Sequence, residues 1–392
     1  MTLFDDQIPL MKPWLTEEEW YSVKEVILSG WVSQGPKVQE FENEVAKFIG
    51  AKHAVAVNAC TSAIHLGLRI QGVNYGDDVI LADTTCMANV NAIKMAGANP
   101  VFVDIDEYTY NIDPLLIEAA ITPKTKAILN IDQIGLPNDL DAISAIASKH
   151  NLAVIDDAAT AMGSKYKNEY LGSQGPVTTF SFHPRKMITT GEGGMLLTDD
   201  ENIAAKARIL RATGASVSDL DRHKAKGVIL QKYYESGYNY RMTDIQAAIG
   251  IIQLKKIGQM LEMRAAQARY FTTALNEIEE LIPPFVPDYA THAYSSYLIK
   301  IRDESTITPE YILQKMAEKN ISCRFGIQPL HQEPYFMEDG WKDEMFPVSC
   351  KVAKKSFFIP IFPGLSEQHM QFIIETLKQL IVDYNYSKPV QS

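Results

Sequence analysis

Five residues of this 392-residue chain could do chemistry together: Lys186, Asp157, Ser181, Thr61 and Ser62. A lysine held in a partly desolvated pocket can lose its proton and form a Schiff base with a carbonyl. Lys186 stands in TFSFHPRKMITTGEGG, between a run that reads as a short strand and a glycine-rich turn, and Ser181 lies five residues before it. Asp156 and Asp157 close the apolar run 152–155. A buried aspartate can keep a pyridine nitrogen protonated. Thr61 and Ser62 sit where a small-residue turn enters a helix, a place that favours phosphate. Together these are the parts of a pyridoxal phosphate (PLP) site. Each also has a plainer role: Lys186 as a surface lysine, the Thr61-Ser62 turn as an ordinary N-cap, and Asp157 as an aspartate satisfied by a backbone donor.

The elements that must hold these residues follow from pattern. Thr16 and Glu19 form a capping box that opens a helix to about Ser29. Val38, Phe41, Val45 and Phe48 mark a second helix over 37–49. Short apolar runs then alternate with helical stretches. Strands are expected at 54–57, 78–82, 100–103, 127–131 and 153–155. Helices are expected from 63, over 86–96, over 115–120 and over 139–150. This alternation predicts a large α/β domain with a wound, mostly parallel sheet, whose ligands sit at the carboxyl ends of strands. A helix over 202–213, a polar loop over 214–232 and a long helix from 243 toward 275 follow. Prolines 283, 284 and 287 mark a break. Beyond it a strand over 295–301, a helix over 309–319, an extended stretch over 322–327 and a helix over 367–384 make a smaller α+β domain. The domains are therefore expected as 1–275, with an N-terminal arm over about 1–30, and 276–392. The tail 387–392 is expected to fray.

Composition narrows the function. The formal net charge of −11 disfavours nucleic acid or an anionic membrane as partner. Cys60, Cys86, Cys323 and Cys350 lie far apart with no C-x-x-C pair, so neither a zinc knuckle nor a disulfide framework is indicated and a reducing cytoplasm is expected. No signal peptide, membrane span, internal repeat or low-complexity tract is expected. GEGG after Lys186 reads as a tight turn and not a P-loop, because no Lys-Ser/Thr follows.

The blocks GWVSQGPKVQEFE, PVFVDID, VIDDAATAMG, FSFHPRKMITTGEGG, GYNYRMTDIQAAIG and FPVSCKVAKKSFFIPIFPGLSEQ, in that order, resemble the DegT/DnrJ/EryC1/StrS family of sugar aminotransferases. The resemblance implies the aspartate-aminotransferase fold (fold-type I) and PLP as cofactor. It implies amino transfer, with L-glutamate as donor and a keto-sugar, usually nucleotide-linked, as acceptor. By it Lys186 would carry the cofactor as a Schiff base and shuttle the substrate proton. Asp157 would pair with the pyridine nitrogen, and Thr61, Ser62 and Ser181 would hold the phosphate. Asn239, in GYNYR, would reach the phosphate of a second subunit, making a homodimer with shared sites. One branch of the family has histidine in place of the lysine and dehydrates its sugar. Lys186 argues against that alternative, and the lack of a DNA-binding module argues against a nucleic-acid-binding regulator. A sensor that binds the cofactor or a sugar without turning it over is the other alternative.

Four positions depart from the family's usual pattern. Cys86 occupies the slot of a ring that stacks on the pyridine, and it reads equally well as a small buried hydrophobe. Thr160 stands near the position of the cofactor's ring hydroxyl, Asp132 replaces a common histidine, and Cys60 replaces a glycine. Substrate candidates are Trp31, Arg185, Arg241 and His331, with Gln34, His292, Tyr294 and Phe325 in the same segments. His183 is open to either a structural or a catalytic role, and Arg185 to either the surface or substrate phosphates.

Overall fold

In the computed structural model, residues 7–173, 175–217, 225, 227, 230–233 and 235–387 are described. The expected tail beyond 387 and most of the expected loop between 218 and 229 lie outside them, as do residues 1–6 of the arm. The chain runs α1 (Glu17–Ser29), α2 (Pro36–Ile49), β1 (His53–Val57), α3 (Cys60–Ile70), β2 (Asp78–Ala82), α4 (Met87–Met95), β3 (Asn99–Val103), α5 (Pro114–Ile117), β4 (Thr125–Ile131), α6 (Leu140–His150) and β5 (Ala153–Asp157). A small hairpin, β6 (Lys165–Tyr166) and β7 (Glu169–Tyr170), precedes β8 (Thr178–Ser181), β9 (Gly194–Thr198), α7 (Glu201–Arg211) and α8 (Asp244–Leu275). Then come β10 (Leu281–Ile282), β11 (Ala290–Thr291), β12 (Tyr297–Ile301), α9 (Pro309–Glu318), β13 (Arg324–Phe325), α10 (Pro347–Lys355), β14 (Ser356–Ile359) and α11 (Glu367–Ser387).

The seven-stranded sheet has the order β1-β9-β8-β5-β4-β2-β3, and only β9 runs against its neighbours. The wound, mostly parallel α/β sheet expected from the alternation is present. Side chains divide by the strand period of two. Val55, Val57, Leu129 and Ile131 enter one core with α3 and α4, whereas Ala54 and Ala56 enter a second core with α2 and α8. Gly35, at the N-cap of α2, brings no side chain to cap it. Asp244, on α8, takes that role from 209 residues away. Its carboxylate accepts from the backbone N–H groups of Gly35 (2.8 Å), Lys37 (3.0 Å) and Val38 (3.0 Å). α8 opens on its own capping box, Thr243 with Gln246. The expected box at Thr16 and Glu19 on α1 is also present.

A second sheet, β10-β12-β14-β13, packs against the C-terminal part of α8 and against α9 and α11. The N-terminal stretch is tied to this second sheet's side of the molecule. Ile8 bridges Ile321 in parallel, and Leu10 accepts from the Ile361 N–H at 3.3 Å. Some expectations need correcting. The helix foreseen over 115–120 splits into α5 and a 3₁₀ turn (Glu118–Ala120). The extended stretch over 322–327 contains a strand only at Arg324–Phe325. No helix among the described residues is long and apolar enough to cross a membrane.

Candidate active site

β5 and β8 are parallel neighbours, with Asp157 opposite Thr179. Their carboxyl ends therefore bring Asp157, Ser181 and the turn carrying Lys186 together. β8 ends at Ser181, and the chain then folds back through 182–193 to return as β9. The Phe182 N–H bonds to the Gly193 carbonyl and the Lys186 N–H to the His183 carbonyl, both at 2.9 Å. The Ser181 Oγ accepts from the His183 N–H at 3.4 Å, and the His183 Nδ1 accepts from the Arg185 N–H at 3.2 Å. Burial, with the Arg185 and Lys186 charges, lowers the His183 pKa against the opposing pull of Glu192. A neutral ring used as a backbone acceptor braces the lysine turn.

Asp157 is 5% exposed. Its Oδ1 accepts from the Ala159 N–H at 3.0 Å and meets the Cys60 thiol at 3.7 Å. Asn89, on α4, acts to lower the Asp157 pKa, while its amide nitrogen donates to the Thr85 Oγ at 2.7 Å. Burial raises the Asp157 pKa, and the nearby Lys186 charge opposes that rise. Cys60 fills the space between Asp157 and Thr179, and burial pushes its thiol well above the ordinary range. Asn89 is a site residue that pattern reading missed. It sits in the first turn of α4, and nothing in its spacing separates it from a helix surface position.

Whether these residues fit a phosphorylated pyridine can be tested on the turn before α3. The N-cap there is Ala59, and no side chain caps the helix. Helix N-termini leave backbone N–H groups free for an anion. The turn lies so close to β9 that a Cβ on Gly194 would stand 2.6 Å from the Ala59 carbonyl carbon and from the Cys60 nitrogen. The cradle is thus open at the helix end and closed by a glycine behind it. An uncapped helix end at α3, a buried carboxylate at the end of β5 and a lysine after β8 match the phosphate, the ring nitrogen and the carbonyl of PLP. Gly194→Ala is expected to lower stability by about 1–3 kcal/mol, measured by urea unfolding, because both clashing atoms are backbone.

The other candidates are placed as follows. The hydroxyl of Ser62 donates to the Asn58 Oδ1 at 2.7 Å, so it must rotate to serve a phosphate. Thr160 donates to the Asp132 carbonyl at 2.7 Å. Cys86 is exposed at the N-cap of α4. Tyr238 and Tyr240 stack 5.0 Å apart against His65, while Asn239 between them is exposed. Arg241 and Gln34 line a cavity of about 530 Å³ with Arg208 and Arg211, and none of Lys186, Asp157 and Ser181 lines it. The Trp31 indole donates to the Gln34 carbonyl at 3.1 Å and covers Gly35.

His331, a substrate candidate, lies at the end of β2. It is 5% exposed and its ring is fully engaged. The Nδ1 lies 2.7 Å from the buried Asp83, the Nε2 lies 3.1 Å from Asp343, and the ring stacks on Phe346. It pins the 330–346 segment to the end of β2 and offers no free edge. His292 is also buried, and desolvation lowers its pKa to about 3.

Fold and site define a PLP-dependent transaminase of fold-type I. The DegT/DnrJ/EryC1/StrS aminotransferase family model matches residues 13–378, and this chain belongs to that family. It is 40% identical over 377 residues to the spore coat polysaccharide biosynthesis protein SpsC of Bacillus subtilis, covering 95% of this chain and 97% of SpsC. Spr1654 of Streptococcus pneumoniae in its PLP-form superposes with a TM-score of 0.89 at 27% identity, covering 96% of this chain and 99% of that one. PseC of Helicobacter pylori, an aminotransferase involved in the biosynthesis of pseudoaminic acid, superposes with a TM-score of 0.88 at 25% identity, covering 96% and 100%.

Proposed function

We propose that this transaminase moves an amino group from L-glutamate to a keto-sugar carried on a nucleotide. The amino sugar formed would serve a surface polysaccharide or a glycosylated metabolite. The observation that carries this proposal is the convergence of Lys186, Asp157 and the uncapped end of α3 at one edge of the sheet, in a chain similar to SpsC and PseC. Bound PLP supplies an electron sink and a carbon that accepts and releases the amino group.

The chain's own residues do the rest. Lys186 holds the cofactor through its Nζ, then takes a proton from the substrate carbon and returns it. Asp157, made more basic by burial, keeps a proton on the pyridine nitrogen. The N–H groups at the start of α3, with the hydroxyls of Thr61, Ser62 and Ser181, bind the phosphate. Thr160 and Cys86 border the ring. Asn239 is exposed and acts on the phosphate of a second subunit. Arg241 and Trp31 accompany it toward that subunit. A homodimer is in keeping with the exposed apolar residues Trp20, Tyr21, Ile27 and Leu28 of α1. We take residues 1–275 as the cofactor-binding domain and 276–392 as the smaller one, and the cytoplasm as the compartment.

The test is a panel of nucleotide-linked keto-sugars offered to the enzyme with L-glutamate. Amino sugar and 2-oxoglutarate should form in equal amounts. Loss of sugar oxygen without consumption of glutamate would overturn the proposal in favour of dehydration.

A further inference from the structure

Arg185 directly precedes Lys186, and Arg324 lies on β13 at the edge of the second sheet. Both line one cleft of about 60 Å³, together with Leu10, Met11, Ser295, Ser296, Phe358, Ile359 and Ile361. No acidic residue lines that cleft, and neither arginine makes an ion pair among the described residues. The Arg324 guanidinium lies over the Phe358 ring, 5.5 Å from its centroid, which fixes one face of the fork. Burial and the Arg185 charge both lower the Arg324 pKa, so two like charges face a common space without a counter-ion. Like charges held together and partly desolvated are costly unless an anion joins them. The cleft is far smaller than the cavity lined by Arg241, about 60 Å³ against about 530 Å³, and suits one small anion better than a nucleotide.

We propose that Arg185 and Arg324 form the subsite for the carboxylate of the amino donor and of the 2-oxo acid it becomes. One arginine sits on the lysine turn and the other on the second sheet. An acid bound between them would bridge the lysine turn and the second sheet, one residue along the chain from Lys186. The serine hydroxyls at 295 and 296 complete a polar rim, and the aliphatic wall from Leu10, Ile359 and Ile361 excludes water from the pair. This inference rests on the proposal that an amino acid is the donor.

The two halves of the reaction are measured separately by rapid mixing. Arg324→Gln should raise the L-glutamate concentration needed for half-maximal amination of the cofactor by tenfold or more, as expected for losing a charge-assisted hydrogen bond. It should leave the half-reaction with the keto-sugar within about twofold. Arg324→Lys, which keeps the charge without the fork, should recover part of the loss, and Arg185→Gln should resemble Arg324→Gln. Independently of turnover, 2-oxoglutarate should raise the melting temperature of the cofactor-free wild-type protein and not that of Arg324→Gln. An unchanged glutamate half-reaction in Arg324→Gln overturns the assignment. Slowing of the keto-sugar half-reaction alone, or of both equally, also overturns it, by assigning the cleft to the sugar's phosphates. If wild-type enzyme accepts no amino group from any amino acid, the donor proposal itself has failed, an outcome separate from these.

Discussion

Lys186→Ala is expected to abolish the visible absorbance of the lysine-bound cofactor and to slow amino transfer by about four orders of magnitude or more, as removal of a covalent catalyst does elsewhere. No neighbour can replace it. The His183 Nδ1 already accepts from a backbone N–H, and an arginine such as Arg185 has no lone pair to offer a proton. The variant should still bind PLP without a covalent bond, because Asp157 and the end of α3 are untouched. Absorbance titration and single-turnover amination check both parts. A variant that keeps the band and the rate would sink the assignment of Lys186.

Asp132→Asn should change how stability depends on pH. Asp132 and Asp156 are both buried and act on one another's protonation, with Asp157 alongside. β4 and β5 are parallel, with Asn130 opposite Asp156 and Ile131 opposite Asp157, and the Asp132 N–H bonds to the Asp157 carbonyl at 3.1 Å. Asn138 donates twice to the Asp132 Oδ1, at 2.9 and 3.0 Å, and the Oδ2 has only Asp156 to face. Asn130 donates to Asp156 at 2.7 Å. Two buried carboxyl groups that raise one another's cost of ionisation hold a proton more tightly than free ones. Burial pushes the Asp132 pKa up to about 7, against the Asn138 bonds, and burial plus the Asp132 charge pushes Asp156 well above the ordinary carboxylate range.

The folded chain thus keeps a proton that the unfolded chain releases near pH 4. The stability tied to it is whole below that pH and is lost as pH rises to about 7. One proton gives a slope of about 1.4 kcal/mol per pH unit. The side-chain amide introduced by Asp132→Asn would donate to an ionised Asp156 and remove that loss. The gap between variant and wild type should therefore move in the variant's favour from pH 4.5 to pH 7, read as urea midpoints. Parallel curves would show that no proton is shared.

Much of the site was legible in the sequence because each part lies at a strand end, where an apolar run stops at a polar residue. Asp157 after residues 152–155 is the clearest case. The long helix α8 was expected from 243, and the structure closes a capping box at its start between Thr243 and Gln246. β14 was not foreseen, although it is the second sheet's inner strand between β12 and β13. SFFI is a continuous apolar run, and such a run carries no period that tells strand from buried helix. The β6–β7 hairpin turns on Lys167 and Asn168, both with positive φ, and its two-residue strands are too short to show alternation. Asn89, Arg324 and the Asp132–Asp156 pair share another cause. Each acquires its role from a partner distant in sequence, which no local pattern records. His331 shows the converse: a histidine beside a proline turn looks available in sequence, and only tertiary contacts consume both of its nitrogens.

The seating of Ile8 and Leu10 against Ile321 and Ile361 has a consequence for biosynthesis. A ribosome adds about 5–20 residues per second. The segment around Ile8 must then wait roughly 20–70 s for the 353 residues that separate Ile8 from Ile361. Through that interval Leu10 and Met11 have no wall to lie on, and the cleft between Arg185 and Arg324 has no roof. The pairing of Leu10 with Ile361 must therefore follow synthesis of the chain to residue 361, and the cleft lined by Arg185 and Arg324 is complete only after that.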